Sequence, residues 1–439
     1  MLKTAWALVA VLLSCSVASA QSVADQTAPS VPTPGYAWVE LVAGGTEIRA
    51  VAAAARCPDA IIDGRPTPMQ VRAPATKSFA LTVCKLRVPD QASQALVNGA
   101  PLPLPKRAPQ RILIFGDTGC RLKGELVQDC NNPRAWPFAE VARRAAAQKP
   151  DLVIHVGDYY YRETPCPAGH AGCAGSPYGD NWGSWEAEFF APARPLLASS
   201  PWVFVRGNHE SCARGGGGWF RLLDASTPAR ACPDPSAPFT VDAGGLNLYV
   251  LDSADSDDRA PTAQSIQAFS AQLDTLKDDL ARGEGWILTH RPIWALAPVA
   301  RLAPFGPMEV SLNKTEQAAV PGHDLAGVQM VVSGHVHHFA SFSFGPGRPA
   351  QLVAGTGGDI GDDADSRSLR SRTIRIDGLD AQSLSFERFG YLLLDRKGDD
   401  WTGAFRDLDD RIVATCRLHA RALTCARPEQ TPLDGDRRR

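Results

Sequence analysis

Five apolar runs punctuate the middle of the chain: Ile112–Phe115, Leu152–Val156, Trp202–Val205, Trp286–Leu288 and Val328–Val332. Each is too short for a buried helix and lacks polar alternation, the pattern of a parallel strand covered on both faces. Between the first two, Trp136 to Gln148 has helical spacing and many alanines, and Pro150 stops it, which predicts a βαβ unit. Ser184–Leu197 and Ala263–Leu280 also read as helices, and residues 238–252 as a hairpin. Beyond the last run the pattern becomes a series of strands, at Phe339–Phe344, Gln351–Ala354, Ser385–Leu394, Trp401–Arg406 and Ile412–Leu418, turning antiparallel at the end. The expected fold is α/β (an α+β sandwich), with two facing mixed β-sheets flanked by helices.

Upstream, short β-like pieces separated by Gly, Pro and Asp (Tyr36–Val42, Glu47–Val51, Phe79–Arg87) predict a small β-rich N-terminal domain over residues 36–108. The stiff segment Pro101–Pro105 would link it to a large domain over 109–425, with a polar tail at 426–439. Residues 1–20 have the charge, apolar core and Ala18-Ser19-Ala20 site of a secretory signal, and 21–35 read as a flexible leader. The expected location is therefore periplasmic or secreted; Leu12-Leu13-Ser14-Cys15 supports an alternative, lipid anchoring at Cys15.

Of 11 cysteines, 10 lie beyond the signal, and their spacing suggests nearest-neighbour disulfides: Cys57–Cys84, Cys120–Cys130, Cys166–Cys173, Cys212–Cys232 and Cys416–Cys425. A net charge of -2 offers nothing to attract nucleic acid, and no later run is long enough to span a bilayer. Oligomeric state is not legible.

The chemistry lies where the runs end, the edge at which α/β sheets collect ligands. There stand Gly116-Asp117-Thr118-Gly119, Gly157-Asp158-Tyr159-Tyr160-Tyr161, Gly207-Asn208-His209-Glu210, Thr289-His290 and Gly334-His335-Val336-His337. As an ordered set these blocks resemble the calcineurin-like metallophosphoesterases, over roughly residues 111–345. The Asp-x-Gly of the first block and the tyrosine three residues after Asp158 are similar to the purple acid phosphatase branch.

The resemblance implies two metal ions. Asp158 would bridge them, Asp117, Tyr161 and His337 would complete the first site, and Asn208, His290 and His335 the second. Mixed N/O donors suit transition metals far better than calcium. A phenolate at Tyr161 favours Fe(III), beside a divalent Zn, Fe or Mn. Such a pair, about 3.5–4 Å apart, polarises a phosphoryl oxygen and acidifies water. His209 would donate a proton to the leaving group, and Glu210 would orient it. The implied substrate is a small phosphate ester, monoester or diester; the other reading is a catalytically silent metal-binding protein of the cell envelope.

Other residues read as structural. His155 is expected in the core, Arg206 packed or on the surface with a phosphate contact as the alternative, and His338 outside the site with reach into the cleft as the alternative. The acidic run Asp252, Asp255, Asp257, Asp258 reads as a solvated loop. Gly355–Asp359 reads as a rim turn, with an anion cradle as the alternative. Loops 162–181 and 291–322 would set substrate choice.

Overall fold

A computed structural model describes residues 35–226, 232–299, 308–361 and 370–428. The expected signal, Cys15, nearly all of the leader, most of the tail and part of the 291–322 loop lie outside these residues.

Two sheets face each other. The first has eleven strands, and its centre runs Arg111–Phe115, Leu152–His155, Trp202–Phe204 in parallel. Antiparallel strands from Gly390–Lys397 to Ala422–Ala426 extend one edge. The second has eight strands, with Asn247–Val250, Gly285–Leu288, Val328–Ser333 and Ala350–Ala354 parallel.

The apolar runs explain this layering. Successive side chains of a strand face opposite ways. Ile112, Ile114, Leu152 and Ile154 therefore point between the sheets and meet Trp286, Leu288, Met330, Val332 and Leu352. Leu113, Phe115 and Val153 point outward against Phe138 and Val141 of the helix Phe138–Ala147, and against Phe189. On the far side Ile287, Val331 and Val353 meet Phe269 and Leu273 of the helix Ala263–Thr275. Runs apolar at every position are what a sheet covered on both faces requires.

Residues 36–108 do not form a sheet system apart from the rest. Ala37–Val42 pairs in parallel with Trp202–Phe204, through Glu40 and Trp202, and antiparallel with Gly45–Ala52. With Thr82–Arg87 and Gln70–Ala73 it completes the first sheet, and the described residues cluster as one compact unit. The boundary expected at residue 108 is thus no boundary between sheets. Its signal was hidden because these strands bury charge: Arg49, 0% exposed, pairs with Glu40 and Glu47. Only a four-stranded sheet, Asp59–Ile62 with Arg65–Pro68, Ala95–Val97 and Ala100–Leu102, stands separately.

Two further expectations change. The supposed strand Ser385–Leu394 is two: Leu379–Phe386 ends in the second sheet and Gly390–Lys397 begins in the first. The helix expected over Ala263–Leu280 breaks at Leu276 into Ala263–Thr275 and Lys277–Arg282. All five disulfides pair as the spacing suggested.

Candidate metal centre

The central parallel strands of both sheets end on the same edge of the sandwich. Asp117 and Asp158 follow the strands Arg111–Phe115 and Leu152–His155 of the first sheet, and Asn208 opens the turn after Trp202–Phe204. His290 follows Gly285–Leu288, and His335 and His337 follow Val328–Ser333. Asp117, Asp158 and His335 have φ of 57°, 59° and 69°. Non-glycine residues in the left-handed region are uncommon and cluster at functional sites.

Two glycines permit the close approach. A Cβ on Gly207 would stand 2.1 Å from Oδ1 of Asp158, and one on Gly119 would stand 2.5 Å from the Tyr161 ring and 2.7 Å from Glu188. The glycine of Asp-x-Gly is thus the space that Tyr161 occupies.

The seven expected ligands converge as two overlapping groups. Asp117, Asp158 and His337 form one cluster of donor atoms that can hold a metal ion; Asp158, His290 and His335 form another. The Tyr161 hydroxyl joins the first, 3.0 Å from Nε2 of His337 and 3.4 Å from Oδ1 of Asp117. Oδ1 of Asn208 joins the second, 3.0 Å from Nε2 of His290 and 2.9 Å from Nδ1 of His335. Asp158 is common to both; its Oδ2 lies against Tyr161 and His290, and its Oδ1 accepts the His209 backbone N–H at 2.9 Å. Only carboxylate, phenol, amide and imidazole donors are present, and the set fits a pair of transition-metal ions.

Electrostatics match. Burial opposes charge on Asp158, yet His290 and His209 hold its carboxyl well below the usual range. Burial likewise opposes charge on His290, but Asp158 raises that imidazole to about 9. The Tyr161 phenol is pushed well up, by burial and then by Asp158, Asp117 and Asp359.

His209 lies beside both groups. Its ring covers Tyr161 at 3.7 Å between centroids, with Nε2 3.8 Å from Oδ2 of Asp158. Glu210 does not orient it. The Glu210 carboxylate accepts the backbone N–H groups of Gly207, Asp158, Tyr159 and Tyr160, at 2.9–3.1 Å. Its work is to fix the turn that presents Asp158. Glu188 continues the pattern, accepting from Cys120, Tyr161 and Arg162. The carboxylate at His209 is Glu163, 3.1 Å from Nδ1 and also paired with Arg214.

The outer histidines have similar backing. Nε2 of His335 lies 3.0 Å from Asp258, which pairs with Arg291. Nδ1 of His337 lies 2.8 Å from the Ile360 carbonyl and 3.3 Å from Asp359, which pairs with Arg121. Asp258 therefore corrects the reading of its acidic run as a solvated loop. So does Asp252, buried against Arg206. Arg206 is buried and does not reach the site. Gly355–Asp359 is no anion cradle: the N–H groups of Gly357 and Asp359 already donate to the carbonyls of Gly116 and Asp117. His155 is fully buried, 3.0 Å from the Thr118 hydroxyl.

Residues 110–339 match the calcineurin-like phosphoesterase family, and the chain belongs to that family, whose members are metal-dependent phosphoesterases. Among solved structures the fold is similar to purple acid phosphatase PPD1 from yellow lupin seeds, at 13% identity, covering 90% of this chain and 74% of that one, with a TM-score of 0.54. It is also similar to PhoD, at 11% identity, covering 90% of this chain and 92% of that one, with a TM-score of 0.55. Among curated proteins there is no match.

Proposed function

We propose that the protein is an exported phosphoester hydrolase of the purple acid phosphatase type, working with two metal ions on small phosphate monoesters. The observation that carries this reading is the sharing of Asp158 Oδ2 between the two donor groups. A carboxylate there offsets the repulsion of two cations held close together. Asp117, Tyr161 and His337 would complete the first ion's ligands; Asn208, His290 and His335 would complete the second's.

When bound, the ions polarise the phosphoryl group and supply an activated water. The chain's own residues do the rest. Glu210 and Glu188 hold the Asp158–Tyr161 turn rigid by its N–H groups. Glu163 meets the ring of His209 at Nδ1, and Nε2 would give a proton to the departing alkoxide once Arg214, 2.8 Å from that nitrogen, turns to the phosphoryl group. Burial pushes His209 down to about 4, against Asp158 and Glu163. The negative charge of a bound phosphoryl group favours the protonated ring that this step needs. Phenolate ligation by Tyr161 would make the first ion Fe(III) beside a divalent partner. Five disulfides favour an oxidising compartment, in keeping with the expected export signal.

The test is turnover of para-nitrophenyl phosphate and its bis-ester by purified protein whose metal content is measured in parallel. Hydrolysis of the monoester at two ions per chain supports the reading. Two bound ions with no turnover of either ester would favour the silent metal-binding protein.

A further inference from the structure

Among the described residues three arginines approach the metal centre, each paired with a carboxylate: Arg121 with Asp359, Arg291 with Asp258 and Arg214 with Glu163. They are not equivalent. Arg121 and Arg291 stand behind ligand candidates, His337 and His335, each of which also meets the carboxylate of the pair. Arg214 instead meets His209, the imidazole outside both donor groups. One terminal nitrogen lies 2.6 Å from Nδ1 and 2.8 Å from Nε2, so the guanidinium sits against the ring at both its nitrogens.

Its other contacts fix its orientation. Nε donates to Glu163 at 3.2 Å, the terminal nitrogen that meets His209 also donates to Glu163, and the second terminal nitrogen donates to the Asn208 carbonyl at 3.2 Å. A guanidinium carries five N–H groups. Glu163 and Asn208 use three, the contact with His209 takes a fourth, and one at the second terminal nitrogen remains. The side chain is 19% exposed, so it is held yet still reached by solvent.

We propose that Arg214 is a substrate-contacting residue that binds a non-bridging oxygen of the phosphoryl group, with Glu163 as its positioning carboxylate, and that this contact sets the substrate class as a phosphate monoester. The inference rests on the phosphoesterase reading above. A monoester carries two negative charges on terminal oxygens where a diester carries one. A preoriented guanidinium, beside the ions, rewards the extra charge, and its fork suits phosphate oxygens.

The experiment compares wild type, Arg214→Ala, Arg214→Lys and Glu163→Gln in metal-loaded protein. It measures kcat and KM for para-nitrophenyl phosphate and its bis-ester, and the affinity for inorganic phosphate. A charge-assisted hydrogen bond corresponds to about 10- to 100-fold. Arg214→Ala is expected to lower the monoester-to-diester ratio of kcat/KM by about tenfold or more and to weaken phosphate binding similarly, with metal content retained. Arg214→Lys should recover part of the ratio, and Glu163→Gln should lose part of it.

Equal losses for both esters, with phosphate binding intact, would overturn the proposal and leave Arg214 as a brace for the Asn208 turn. No effect on either ester would also overturn it. If wild type hydrolyses neither ester, the function falls, while phosphate affinity still decides whether Arg214 contacts the anion.

Discussion

The Tyr161 hydroxyl lies 2.8 Å from Oδ2 of Asp158, three residues earlier in the chain. The same oxygen is 3.2 Å from Nε2 of His290, which belongs to the other sheet. One atom thus joins a donor group built mainly by the first sheet to one drawn from both, and the left-handed backbone at Asp158 aims it there.

Asp158→Asn is expected to remove most or all of both ions. The amide keeps the shape but not the charge that offsets two cations. Elemental analysis of the purified variant checks this, and wild-type metal content would rule out the bridge.

Metal affinity should rise with pH. His290 must lose its proton to act as a ligand, and that proton is held up to about 9. Below that value each ion bound at the second group releases a proton there, so affinity should climb by about tenfold per pH unit. The metal-free protein should behave oppositely. Its Asp158–His290 pair contributes fully below the ordinary histidine pKa and is lost as pH passes through about 9. Metal titrations and melting curves at several pH values test both signs.

His209→Ala should keep its metals and lose about 10²–10⁴-fold in rate on esters with poor leaving groups. The loss should shrink as the leaving group improves. A loss independent of the leaving group would assign His209 to binding the phosphoryl group instead of protonating the alkoxide.

Tyr161→Phe tests the phenolate. A phenolate on Fe(III) gives an intense visible charge-transfer band, which should vanish in the variant while the divalent ion stays. A colourless, iron-free and fully active wild type would keep the phosphoesterase but remove the purple acid phosphatase assignment.

Glu188 gives a pH test of stability. Burial pushes its carboxyl up to about 8, against Arg162 and the N–H groups it accepts. The folded chain then keeps a proton that the unfolded chain releases near 4.5, so stability falls as pH rises from there toward about 8. Glu188→Gln mimics the neutral acid and lacks this loss. Its melting temperature should gain on wild type across that window; a constant gap would show the carboxyl to be ionised throughout.

The parallel strands and the convergence of seven donors were legible because each is a local pattern, an apolar run followed by glycine and a ligand type. Residues that act across the chain were not. Glu163 meets His209 from 46 positions away, and Asp258 meets His335 from 77. In sequence each sits among polar neighbours and reads as solvated. Glu210 was misread for a related reason. Adjacency to His209 suggested a partner, but in the tight turn its side chain faces the backbone of another strand end. The Ser385–Leu394 run hid a crossing between sheets, since the pattern records that a segment is extended and not which neighbours it joins.

The strand Ala37–Val42 carries a consequence for how the protein is made. Synthesised early, it can form its hairpin with Gly45–Ala52 at once. Its other edge waits for Trp202, 162 positions later. Until then a row of unpaired amides and carbonyls stays open to other chains. Closure of this edge is a long-range parallel pairing, the slow kind, so the nascent strand stays exposed to aggregation until the third block has emerged.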